Sequence, residues 1–125
     1  MGTRAVTKVL NEDEEVILSM YSQFDGYPDG LGRSLIEFLK KIKMINGISF
    51  NEERKVANGM GCLAAQLVVE FKKEAGGYYL TTPDDEESYN YTIYSEGNYD
   101  DQILKIKVES YSEVLFDGKV EDYNL

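Results

Sequence analysis

Residues 4–10 and 15–21 each mix β-branched with other apolar side chains, and the polar run Asn11-Glu12-Asp13-Glu14 between them has the length of a hairpin turn. The pattern predicts an antiparallel hairpin. Residues 22–32, rich in Gly and Asp around Pro28, read as a loop. The period then changes. Leu35, Leu39 and Ile42, with Ile36 and Phe38 beside them, predict an amphipathic helix over 33–44, with Lys40, Lys41 and Lys43 near its negative end and Asn46-Gly47 as its stop. Residues 48–58 read as a loop with a helical turn at 52–56. Met60, Leu63, Ala64, Leu67, Val68 and Phe71 recur at helical spacing and predict a second helix, capped near Asn58 and ended by Gly76-Gly77.

From Tyr78 the period becomes two. Strands are predicted over 78–82, 89–95 and 104–108, with an acidic turn at 84–88 and a second turn at 97–101. Two more short strands, 113–116 and 119–123, are expected around the hairpin signal Asp117-Gly118. The reading is a single α+β domain over residues 1–125. Its antiparallel sheet carries two helices packed on one face, in the order ββαα and then about four strands. No βαβ alternation appears, which argues against a doubly wound fold.

Composition narrows the chemistry. A chain of 125 residues builds one core and not two. With no His and one Cys, it lacks the ligands of a structural zinc site, the second thiol of a disulfide and the imidazole of a catalytic triad. Neither a metal nor another cofactor is expected. The net charge is −10, and it is uneven: residues 1–62 hold eight basic and nine acidic side chains, residues 63–125 five and fourteen. Such a balance opposes binding to a nucleic-acid polymer. No apolar run approaches the roughly 20 residues of a membrane span, no signal peptide is visible, and the lone Cys62 suits a reducing compartment, so a cytoplasmic location and no membrane partner are expected. Most of the ten tyrosines fall in predicted strands, where they suit a homo-oligomer surface.

The segment 21–32 is the most unusual. Tyr21, Phe24 and Tyr27 interleave with glycines just before a helix whose first turn holds Arg33. Rings stack on bases, helix-start N–H groups suit phosphate, and an Arg adds a charged donor. The plainer alternative is a loop shaped by turn residues, its rings packed on the core. Asn58-Gly59-Met60-Gly61 opens the second helix in similar style, so two glycine-lined helix starts could meet one polyanion if the helices run parallel. The spacing is neither a dinucleotide fingerprint nor a P-loop. The runs 84–87 and 100–101 lack the spacing of a calcium loop and read as solvated turn charges, and Cys62 reads as a small core residue.

The start Met1-Gly2-Thr3-Arg4, the box Tyr21-x-Gln23-Phe24-Asp25-Gly26-Tyr27-Pro28-x-Gly30-x-Gly32 and the helix start Asn58-Gly59-x-Gly61 together resemble a family of small bacteriophage proteins, over roughly the first 70 residues. Small phage proteins of this size include sponges that sequester cyclic-nucleotide immune signals, usually as oligomers. The resemblance implies that role in the host cytoplasm, with Arg4, Gln23, Phe24, Asp25, Tyr27 and Arg33 at or beside the ligand. Gly59 and Gly61 would add N–H donors, and no catalytic residue is assigned. Two rival expectations stand beside it. One is an acidic inhibitor that covers a basic surface of a host defence protein. The other is a metal-assisted carboxylate enzyme acting on a phosphodiester.

Overall fold

The computed structural model describes residues 2–45, 55–97 and 102–125. Strands β1 (Ala5–Leu10) and β2 (Val16–Ser22) form the expected hairpin. Residues Pro28–Gly32 make a wide π-helical turn that runs into helix α1 (Arg33–Lys40). Two short strands follow, β3 (Ile42–Ile45) and β4 (Lys55–Asn58), paired in parallel. Helix α2 spans Gly59–Phe71, and strands β5 (Tyr78–Leu80), β6 (Tyr89–Glu96), β7 (Ile103–Ser110) and β8 (Glu113–Lys119) complete the described chain before a 3-10 turn at Val120–Asp122.

Six strands form one sheet in the order β5-β2-β1-β6-β7-β8. Side chains alternate between its faces, apart from register shifts at Val9/Leu10 and at Val108/Glu109. Ala5, Val9, Met20, Tyr91, Ile93, Ile106 and Val108 point to one face and meet Leu35, Phe38 and Leu39 of α1 and Met60, Leu63 and Leu67 of α2 in a single core. Both helices therefore cover the same face, as the periodicity requires. On the other face stand Lys8, Thr92, Tyr94, Lys105 and Lys107, in register across β1, β6 and β7. Part of that face is also covered. Val6 is fully buried there, Ser19 Oγ donates to Thr82 O at 3.0 Å, and Asn90 exchanges hydrogen bonds with the backbone of Glu87. The link from β5 to β6 thus crosses the outside of β2 and β1.

Several expectations need correction. The sheet is mixed, because β1 and β6 pair in parallel where an antiparallel sheet was predicted. The order is not ββαα, since β3 and β4 lie between the helices. The first helix stops at Lys40, and residues 42–44 of its predicted length belong to β3: Ile42 fits the helical stripe of Leu35 and Leu39, but Ile42 and Met44 both pack on the core two positions apart, which only a strand allows. Lys55 and Val56 are strand and not a helical turn. The Asn46-Gly47 stop, the rest of the 48–54 reading and most of the 97–101 turn lie outside the described residues. Helix α2 ends at Phe71, five residues before Gly76, because Lys72 is extended and its ammonium holds the carbonyls of Ala75, Gly76 and Tyr78. The acidic segment 84–88 is part of the crossover and not a turn between neighbouring strands. Asp117-Gly118 lies inside β8, and the hairpin turns instead at Tyr111 and Ser112, both at positive φ (51° and 69°).

Candidate functional site

The aromatic-glycine box is folded against the foot of β1. Gly26 N donates to Thr3 O at 2.9 Å, and a methyl group on Gly26 would lie 2.7 Å from Cβ of Ala5 and 2.9 Å from Thr3 O. Only glycine permits that approach. Tyr91, fully buried under the box, donates its hydroxyl to Gly26 O at 2.6 Å, and burial raises its pKa far above the usual tyrosine value, so it stays a donor. Tyr123 donates to Pro28 O at 3.2 Å.

The turn into α1 uses its own peptide groups. Gly30 N donates to Tyr27 O (2.9 Å), Leu31 N to Asp25 O (2.8 Å) and Gly32 N to Tyr27 O (3.4 Å), while Arg33 N reaches the carbonyls of Gly30 and Pro28. The expected anion donors at 30–32 are therefore already engaged. The same ladder holds Asp25 at φ +55°, a conformation that Asp tolerates better than most residues but that still costs roughly 1–2 kcal/mol.

What remains open is a side-chain cleft of about 200 Å³, lined by Phe24, Asp25, Leu31, Ser34, Gly77 and Tyr78. Phe24 is 56% exposed, although it is a large apolar ring. Its other side rests on the chain start, where a methyl group on Gly2 would come within 2.6 Å of Cδ1. Gln23 N donates to Gly77 O at 2.9 Å and closes the wall between box and β5. Tyr78, half-buried, packs on Phe71 with ring centroids 5.7 Å apart. Burial raises its hydroxyl above the usual tyrosine range, and the Asp25 carboxylate nearby adds to the rise. Ser22, the cross-strand partner of Tyr78, and Thr7 hold buried hydroxyls with no hydrogen-bond partner among the described residues. Uncompensated polar groups of this kind mark places where stability has been given up.

Of the residues singled out by the sequence, the fold brings Phe24 and Asp25 into the cleft. Gln23 supports it through its backbone, and Tyr27, 40% exposed, stands beside it. Arg33 follows the cleft wall in sequence but is tied to Asp29 at 2.6 Å. Arg4 is exposed at the foot of β1. Gly59 and Gly61 are elsewhere. At the start of α2, Met60 N donates to Glu12 Oε2 at 2.9 Å, and Glu12 belongs to the turn beyond the far end of β1. The six residues of β1 alone span about 20 Å. The two helix starts therefore sit at opposite ends of the strand and cannot share a ligand. Leu31, Ser34, Gly77 and Tyr78 were not singled out by the sequence. Tyr78 lies far along the chain from the box, and only the pairing of β2 with β5 brings it there.

A larger groove of about 550 Å³ runs between α1, β3, β7 and the Val120 turn, with Leu39, Ile42, Met44 and Leu104 in its walls. It contains none of the candidate ligand-binding residues of the sequence. Among the described residues no group of three or more Cys, Asp or Glu side chains could hold a metal ion, and no helix is long and apolar enough to cross a membrane. Comparison of the chain with known protein families, curated proteins and solved structures finds no match.

Proposed function

We propose that this chain is a binding protein that captures a small nucleotide without chemistry, and that, in keeping with its resemblance to small phage proteins, it sequesters a cyclic-nucleotide immune signal. The observation that carries this reading is the Phe24 ring, more than half exposed at the rim of a cleft with Asp25, Ser34 and Tyr78 within it. The binding mode differs from the one the sequence implied. With the turn nitrogens engaged and a carboxylate in the cleft, the base and not the phosphate is the group gripped. Isothermal titration with mononucleotides and with cyclic di- and trinucleotides tests it. Binding is expected with the native chain and weaker binding with Phe24→Ala, by roughly 5- to 150-fold for a lost base stack. No heat above background with any nucleotide overturns the reading.

A second reading, an acidic inhibitor of a basic host surface, is supported by the crossover. Asp84 and Glu86 are exposed on it, and none of Asp84 to Glu87 is in an ion pair among the described residues.

A further inference from the structure

We infer that the cleft beside Phe24 reads the hydrogen-bonding edge of a guanine base, a selectivity that rests on the nucleotide reading above. The polar groups in the cleft are few and of fixed kind. Asp25 brings a carboxylate, an acceptor group with two oxygens side by side. The hydroxyls of Tyr78 and Ser34 can donate. Asp25 has no ion-pair partner among the described residues, and Leu31 N holds its carbonyl at 2.8 Å, so its side chain starts from a fixed backbone.

Each base presents a different edge to this set. Guanine places two adjacent donors, N1–H and the N2 amino group, next to the acceptor O6. A carboxylate takes both donors at once, in the forked geometry that makes bidentate pairs strong, and a hydroxyl from the same cleft, of Tyr78 or Ser34, would meet O6. Adenine and cytosine each set one amino group beside a bare ring nitrogen, whose lone pair faces the second carboxylate oxygen and is repelled. Uracil has one donor between two carbonyls. The volume of about 200 Å³ also fits one ring system with the sugar and phosphates left outside, which keeps the phosphate charge away from Asp25.

The test is titration of the full chain with GMP, AMP, CMP and UMP, and with the cyclic dinucleotides of guanine and of adenine. The guanine ligands are expected to bind roughly 5- to 150-fold more tightly, the discrimination of one good bidentate pair. Asp25→Asn is the decisive variant. Asn keeps one acceptor, gains a donor and accepts positive φ, so the variant folds and its edge now matches adenine. The preference should move from GMP to AMP. Equal binding of all four bases, or an unchanged guanine preference in Asp25→Asn, overturns the inference while the nucleotide reading stands. No binding of any nucleotide removes both.

Discussion

Gly26 shows how closely a single residue can govern the box. Its backbone lies so near β1 that any side chain would meet Ala5 and Thr3, and its carbonyl receives the buried Tyr91 hydroxyl at 2.6 Å. Gly26→Ala should destabilise the fold by about 1–3 kcal/mol, the usual cost of overpacking. It should appear in urea denaturation as a lower midpoint with an unchanged slope. Phe24 and Asp25 are the opposite case. Phe24→Ala removes a ring already more than half exposed and should change stability little, so its effect on binding is separable from folding.

At the scale of the element, α2 begins under the control of a residue 48 positions away. Glu12 Oε2 accepts from Met60 N at 2.9 Å and from Gln102 Nε2 at 2.8 Å, which ties the β1–β2 turn, the start of α2 and the chain entering β7 together. The carboxylate lies where the helix dipole favours negative charge. Partial burial would raise its pKa, but the hydrogen bonds from Gln102 and Met60 outweigh this and hold it below the ordinary carboxyl value of 4.5. A carboxyl with a depressed folded pKa stabilises the fold above its unfolded pKa, and that contribution is lost as the pH falls through the folded value. Glu12→Ala should therefore cost about 0.5–1 kcal/mol at pH 7, in the range of a lost helix cap. Chemical denaturation of both proteins from pH 7 to pH 3 should show the difference shrinking below about pH 4.5. A difference that stays constant over that range would assign Glu12 a purely steric role.

For the whole molecule, the arrangement of charge matters more than its total. The outer sheet face carries lysines on β1 and β7, while the crossover on the same face carries Asp84 to Glu87. If the acidic-inhibitor reading is right, association with a basic partner is steered by the crossover. Reversing Asp84 and Glu86 to Lys should then abolish capture of the partner by immobilised protein and flatten its salt dependence. Nucleotide binding at Phe24 should be unaffected. Unchanged capture would remove that reading.

The elements legible in the chain were those whose cause is local. The β1–β2 hairpin and the apolar stripe of α2 follow from spacing within a dozen residues, because side-chain direction repeats every two or 3.6 positions. The box was legible too, since Gly26, Pro28 and the rings around them bend the backbone wherever they occur. Tertiary structure decided the rest. Ile42 fits either period, and the pairing with β4 makes it strand. Asn58 stands at the N-cap position of α2 as the sequence predicts, yet the carboxylate on Met60 N comes from Glu12. Phe24 and Asp25 were visible as candidates, but their cleft exists only because β5 lies beside β2 and brings Tyr78 to the box. Local periodicity specifies which side of an element is buried. Which distant element it is buried against depends on contacts between residues far apart in the chain.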